Sequence, residues 1–171
     1  MSRISLQIMG LFFFLISCSG GKGTEESVQT ETSAAPTEEQ ALTYDPATFA
    51  SPLEAYLGLK DALVASDTKL ASAAAARLAE LAEGQEVASA KAIAGTENID
   101  QQREAFQTLS EMMYEKLVTE GADVTVYKQF CPMAFDNQGG YWLSSEEEIL
   151  NPYFGQSMLK CGRVDETLAA K

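Results

Sequence analysis

The stretch that decides the fold is SPLEAYLGLKDALVASD, residues 51–67, because it marks both the beginning and the end of a helix. Ser51 is a favoured N-cap, Pro52 suits the first helical position, and Glu54 completes a capping box. Apolar residues then recur at helical spacing, interrupted by one lysine, and form one apolar face. These residues are Leu53, Tyr56, Leu57, Leu63 and Val64. The pattern predicts a helix that ends near Ser66.

Two further helices are predicted directly downstream. Asp67 is a suitable N-cap for the first of them, and Gly84 is the expected stop. Its apolar stripe consists of Leu70, Ala74, Leu78 and Leu81. A shorter helical segment, Val87 to Ile93, leads to Gly95.

The longest helix is predicted in NIDQQREAFQTLSEMMYEKLVTEG, residues 98–121. Polar residues cover all but one of its faces, which is typical of an amphipathic helix. The apolar face contains Ile99, Phe106, Leu109, Met113 and Leu117. Gly121 closes the helix. We interpret Met112 and Met113 as packing residues of the core, since Met commonly fills gaps there.

Extended structure is predicted after this helix. Residues 124–131 alternate β-branched or aromatic types with polar ones, which favours a strand. Its expected partner is Tyr141-Trp142-Leu143, reached through the turn-forming residues 136–140. Ser144 is predicted to cap a helical turn that runs to Leu150.

These elements together predict a mainly α fold. The expected architecture is a small antiparallel bundle of three to four helices with a short extended or β cap at the C-terminal end. We place this single domain at residues 46–165 and expect residues 166–171, the end of VDETLAAK, to be frayed. One hydrophobic core is expected from a chain of this length.

The N-terminal 17 residues have the pattern of a signal peptide. Arg3 precedes a mostly apolar run, residues 4–16, that is too short to span a bilayer. Leu-Ile-Ser-Cys at residues 15–18 resembles the lipobox of bacterial lipoproteins, in which the Cys becomes the lipid-modified first residue. We therefore predict a lipoprotein anchored to a membrane of the bacterial cell envelope through Cys18. Residues 18–45, rich in Gly, Ser, Thr and Glu, are predicted to be a flexible acidic tether.

Charge and composition exclude some classes of function. Without Arg3, the chain has 11 basic residues against 25 acidic ones, a net charge of −14. Such a chain lacks the basic surface that phosphate backbones require, so nucleic acid is not an expected partner. The sequence contains no His, which removes Ser-His and Cys-His nucleophile pairs. Neither a P-loop nor a GxGxxG motif occurs. We do not expect an enzyme, and no catalytic residue is predicted.

The cysteines that remain after Cys18 are an even pair, Cys131 and Cys161. Three interpretations stay open. In an exported protein the two thiols can form a disulfide. Together with Met133 and Met158 they can instead form a soft-metal site, since thiolates and thioethers select Cu(I). The third interpretation is an ordinary core that contains two free thiols.

Six segments carry a resemblance to a known family. They are residues 126–127 (VY), 130–134 (FCPMA), 139–144 (GGYWLS), 151–162 (NPYFGQSMLKCG), 56–67 (YLGLKDALVASD) and 98–106 (NIDQQREAF). Over roughly residues 50–165 the chain resembles an uncharacterised bacterial family, domain of unknown function 3347. This family occurs in envelope lipoproteins and is similar to a module attached to membrane-fusion subunits of heavy-metal efflux pumps.

The resemblance implies a helical domain in a metal-handling setting. It places Cys131, Met133, Met158 and Cys161 at the family's Cys and Met positions, and it suggests a metal-efflux membrane-fusion subunit as a partner. The chain departs from the family in residues 91–106, where relatives commonly carry His and this sequence has none. A metal site that draws on those imidazoles is incomplete here.

Overall fold

Four α-helices occupy the first part of residues 43–171, which are the residues that the computed structural model describes. They are α1 (Pro52–Val64), α2 (Thr68–Leu81), α3 (Glu86–Ala94) and α4 (Ile99–Glu120). None of the helices in this range is long and apolar enough to cross a membrane. The predicted cleavage after residue 17 and the predicted lipidation of Cys18 concern residues outside this range.

The helix boundaries follow the capping residues of the sequence. The Ser51 Oγ accepts a hydrogen bond from the backbone N–H of Glu54 at 3.2 Å, and Glu54 in turn accepts one from Ala50 N at 2.7 Å. Asp67 caps α2 by accepting from Leu70 N at 2.9 Å. The bonds from Glu54 N and Leu70 N each satisfy a donor that a helix start leaves without an intrahelical partner, and the bond from Ala50 fixes the chain just before the cap.

Consecutive helices pack against one another and enclose the core. The large buried side chains of this core come from all four helices. They are Tyr56, Leu59, Leu63, Leu78, Ile93, Phe106, Leu109 and Met113. Met113 is in the core as predicted, whereas Met112 is only half-buried.

A three-stranded antiparallel sheet closes the C-terminal end of the domain. Its strands are β1 (Val126–Cys131), β2 (Gly140–Ser144) and β3 (Arg163–Leu168), in the order β2-β1-β3. Within the sheet Cys131 pairs with Gly140, and Phe130 pairs with Arg163. The prediction of a mainly α fold with a short β cap is confirmed.

The sheet is fixed to the helices by a buried chain of hydrogen bonds. Ser110 Oγ donates to Phe106 O at 2.8 Å, so it accepts from the Tyr56 hydroxyl at 2.7 Å. Tyr56 Oη accepts in turn from Leu143 N at 3.1 Å. The chain thereby joins α1, α4 and β2, and the Tyr56 ring stacks on Phe106 with centroids 5.1 Å apart. Burial raises the pKa of Tyr56 well above its ordinary value, so the hydroxyl stays a donor.

The ends of the domain differ from the prediction. Residues 166–168, expected to be frayed, belong to β3, which pairs with β1. At the other end, the hydroxyl of Tyr44 donates to Gly58 O, and Asp45 caps a 3₁₀ turn at Pro46–Thr48. The structured part therefore includes Tyr44 and Asp45, which we had assigned to the tether.

The helical turn predicted between Ser144 and Leu150 is also wrong. Residues 145–148 form a series of bends. Ser144 Oγ accepts from Glu146 N at 3.1 Å, which closes a local side-chain turn instead of capping a helix. The carbonyls of this segment are directed into the protein, where Gln129 binds them.

Candidate site around Cys131 and Cys161

The two cysteines meet at the end of the sheet. Cys131 is the last residue of β1 and is buried, while Cys161 is half-buried and lies two residues before β3. Their Sγ atoms are 2.9 Å apart and both thiols are free. A disulfide bond requires about 2.05 Å between the sulfurs, so oxidation needs only a small movement of the two side chains.

Asn151 holds the segment that carries Cys161. Its side chain is buried, and its Nδ2 donates to Cys161 O at 2.8 Å. Its Oδ1 accepts from Tyr153 N at 2.8 Å, and its backbone N–H donates to Leu159 O at 2.9 Å. One amide therefore folds residues 151–161 back on themselves and fixes Cys161 beside β1.

Gly162, which follows Cys161, is in a crowded position. Its φ is 148°, and a Cβ there would lie 3.0 Å from both Phe130 O and Trp142 Cη2. A side chain would push the chain away from β1 and would separate the sulfurs. The small residue is thus part of what brings Cys161 to Cys131.

A strained turn follows Cys131. Residues Phe135, Asp136 and Asn137 have φ of 52°, 55° and 65°, and this left-handed region is unfavourable for a bulky residue such as Phe. The Phe135 ring packs edge-on against Tyr153, with centroids 5.0 Å apart. Gly139 N donates to Ala134 O at 2.9 Å and closes the turn. Aromatic packing and this bond hold the strained backbone in place.

The two methionines of the predicted metal site are more exposed than Cys131. Met133 is 48% exposed, and Met158 is half-buried in a 3₁₀ turn, Gly155–Met158. The one recorded link is from the backbone: Cys161 N donates to Met158 O at 3.0 Å. Within residues 43–171, no group of three or more His, Cys, Asp and Glu side chains is arranged to hold a metal ion. The structure therefore brings the two thiols together, and Met133 and Met158 both remain partly exposed.

The proximity of the thiols affects their acidity. The pKa of the Cys161 thiol is raised by its hydrogen bond with Cys131, with burial and the neighbouring charge of Cys131 acting in the same direction. Because the thiolate is the nucleophile and the metal ligand, the raised pKa keeps the Cys161 thiol in its less reactive, protonated form.

We expect alkylation of the reduced protein to discriminate between the two cysteines. Cys161 should react with iodoacetamide more slowly than the same residue in unfolded protein below its raised pKa, since less thiolate is present. Its rate should rise only as the pH approaches the raised pKa, which lies above the ordinary thiol value of about 8.5. Cys131 should react only when the protein unfolds. Peptide mass spectrometry over a pH series measures both rates, and equal rates in folded and urea-unfolded protein would contradict the expectation.

Two polar residues that support this region were not predicted, the buried Gln129 and the half-buried Arg103. Gln129 Nε2 donates towards the carbonyls of Glu146, Glu147 and Glu148 at 2.8, 3.1 and 3.1 Å. Arg103 Nε donates to Pro152 O at 2.8 Å and ties α4 to the segment before Cys161. No local pattern identifies Gln129, while Arg103 lies within the family-like segment NIDQQREAF.

The class of protein that emerges is a small helical domain closed by a three-stranded sheet, with paired thiols at the end of that sheet. Residues 53–124 match the family model described as a protein of unknown function, DUF3347. The predicted family is thereby confirmed over the four helices. The match ends before β1, so both cysteines lie outside it. No curated protein and no solved structure matches the chain.

Proposed function

We propose that the protein is a bacterial envelope lipoprotein whose helical domain is a protein-interaction module stapled by a disulfide between Cys131 and Cys161. The observation that carries the proposal is the 2.9 Å separation of the two Sγ atoms. Exported proteins occupy compartments where such a pair stays oxidised. Acylated Cys18 anchors the chain, and the domain has no catalytic role.

Three further observations support the staple over a metal site. Cys131 is buried, so a bound ion would have to enter a closed position. The pKa of Cys161 is raised, so a metal would have to compete with a tightly held proton. The Met133 side chain is 48% exposed, so it is not enclosed in the protein as Cys131 is.

The test is the mass of protein taken from the bacterial envelope under acid conditions. We expect both cysteines to resist alkylation until a reductant is added, because they are bonded to each other. The same spectrum should show acyl chains on Cys18, and Cys18→Ala should release the protein from the membrane fraction. Two thiols that alkylate without reduction would rule out the staple, and unchanged fractionation of Cys18→Ala would rule out the anchor.

Soft-metal handling is the second candidate. It is favoured by the adjacent Sγ atoms of the two cysteines and by Met158, which ends a 3₁₀ turn three residues before Cys161 in the sequence. In this function the reduced thiols bind one Cu(I), with Met133 and Met158 as further ligands. The protein then serves as an accessory of metal efflux, next to a membrane-fusion subunit. Affinity falls as the pH falls, since protons compete for the thiolates.

Titration of reduced protein with Cu(I) against a competing chelator tests this candidate. The metal function predicts uptake of one ion and a weaker affinity in both Met133→Leu and Met158→Leu. If the cysteines instead form a disulfide and the methionines only pack, both substitutions should cost little stability. Met112→Leu is the matched control, because Met112 lies on α4, away from the cysteines. Absence of uptake, or uptake indifferent to the two test variants, would exclude the metal function.

A further inference from the structure

An apolar groove lies between the start of α1 and the end of α4. It has a volume of about 590 Å³. Its floor is formed by side chains from both helices and from the link to β1: Leu53, Leu57, Met113, Leu117 and Val124. Val124 is 47% exposed, although it is large and apolar. An exposed apolar strip of this kind indicates a contact surface.

The rim of the groove is acidic. Glu54, Glu120 and Asp123 are exposed along it. The one basic residue that lines it, Lys116, is already engaged, with its Nζ 3.0 Å from Glu120 Oε1. The Lys171 side chain lies over Gly121 at the same surface. The apolar side chains are therefore rimmed by three exposed carboxylates whose charge Lys116 and Lys171 offset in part.

A second pocket adjoins the groove and shares Lys116 and Glu120 as its wall. Its volume is about 390 Å³, and Glu86 and Glu115 also line it. Glu86 is only 7% exposed, and its Oε1 has no hydrogen-bond partner among the described residues. The nearest cation, Lys116 Nζ, is 3.8 Å away. This ion pair is too long for a hydrogen bond. A buried carboxylate oxygen without a hydrogen bond is costly, so a second cation would be favourable in this pocket.

We infer that groove and pocket together bind a cationic amphipathic segment of another protein. The apolar side chains of the segment lie in the groove, and one Lys or Arg reaches Glu86 in the pocket. Laying an amphipathic helix into an apolar groove is a common mode of peptide recognition. The inference rests on the interaction role proposed above, but it does not depend on the state of the cysteines.

Charge complementarity selects this occupant over others. A second copy of the chain would bring the same acidic rim against itself, and the chain's net charge is −13. The acidic residues 18–45 of this chain would be repelled for the same reason. Anionic lipid is disfavoured as well. A basic partner is attracted by the carboxylates of the rim, by Glu86 in the pocket and by the negative net charge of the chain.

The test uses residues 19–171, oxidised and checked by mass, with a labelled 14-residue helical peptide of Leu and Lys as the probe. Fluorescence anisotropy should show binding that weakens with salt. Glu86→Gln should weaken it about tenfold, since a charged hydrogen bond is lost. Val124→Gln should weaken it by a similar factor. A peptide with Glu in place of Lys should not bind.

Matched controls separate this site from general attraction to an acidic protein. Glu97→Gln removes the same charge beyond the opposite end of α4. Val118→Gln changes another exposed valine (56%) that does not line the groove. Both should bind like the unchanged protein. Equal losses in test and control variants would overturn the inference. So would a dimer in sedimentation that Val124→Gln dissociates, or binding only to anionic vesicles.

Failure of the inference remains distinct from failure of the staple. Should Glu86→Gln not fold, as judged by circular dichroism, Glu115→Gln in the same pocket carries the test. If protein with a confirmed Cys131–Cys161 disulfide does not bind the Leu/Lys peptide, the inference is wrong and the disulfide is unaffected. If protein from the envelope has two free thiols and still binds the peptide, the staple is excluded and the inference stands.

Discussion

Adding a reductant to the oxidised protein should lower its free energy of unfolding by about 3 to 4 kcal/mol. The proposed disulfide between Cys131 and Cys161 would close a chain segment with a sequence separation of 30 residues. Closing a segment of this length removes conformational entropy from the unfolded state, and that loss is recovered on reduction. Such an effect is a large share of the stability of one small domain.

Urea denaturation of oxidised and reduced protein, followed by far-UV circular dichroism, measures the difference. The double variant Cys131→Ala/Cys161→Ala is the control, because a reductant has nothing to act on there. We expect its curve to be the same with and without reductant. Superimposable curves for oxidised and reduced unchanged protein would show that the bond does not form or does not stabilise.

Trp142→Ala should destabilise the domain by about 3 to 5 kcal/mol, the usual cost of deleting a large buried aromatic side chain. The ring is fully buried in β2, packs edge-on against Tyr153 with centroids 5.8 Å apart, and approaches Gly162. Removing it opens a cavity between the sheet and the segment that carries Cys161. The effect should therefore reach the thiol pair as well as the core.

Trp142→Phe separates the packing of the ring from its polar atom. The indole Nε1 is buried and has no hydrogen-bond partner among residues 43–171. Phe keeps much of the aromatic contact and removes this unpaired donor, so its cost should be clearly smaller than that of Ala. Circular dichroism is the suitable readout, because the chain has a single Trp. Equal costs would indicate that the indole N–H is bonded in solution.

The helical half of the fold could be predicted because its signals are local. Ser51, Asp67 and Gly121 each act on the backbone within a few residues, and each marks a boundary in the structure. The expected stop at Gly84 was three residues late: α2 ends at Leu81, before the glycine is reached. Local preference sets the helix, and tertiary packing adjusts its last turn.

The sheet could be predicted only in part because its pairing is not local. The β1–β2 hairpin has a short link and was found. β3 was missed, since Arg163, Asp165 and Glu166 are exposed and give no apolar alternation. Its partner is β1, more than 30 residues away in the chain. A polar edge strand looks like a frayed end until its partner is known.

In the candidate site, too, the local signal could be predicted and the non-local contacts could not. An even pair of cysteines indicated a contact that the structure shows at 2.9 Å. What holds the contact was not visible: Asn151 folds the Cys161 segment, and Gln129 binds the carbonyls of residues 146–148. Each of these amides serves backbone groups that only the folded chain brings within reach. A side chain that hydrogen-bonds to carbonyls far away in the chain leaves no periodic pattern in the sequence.

The polarity of β3 has a consequence for how the protein behaves in a crowded layer. The proposed lipid anchor would confine copies of the protein to two dimensions, where collisions between sheet edges would be frequent. Arg163, Asp165 and Glu166 place charge along the free edge of the sheet, with Arg163 and Asp165 paired at 2.8 Å. Charged edges resist the addition of a further strand. The residues that hid β3 from the sequence pattern therefore also keep neighbouring copies from joining into a continuous sheet.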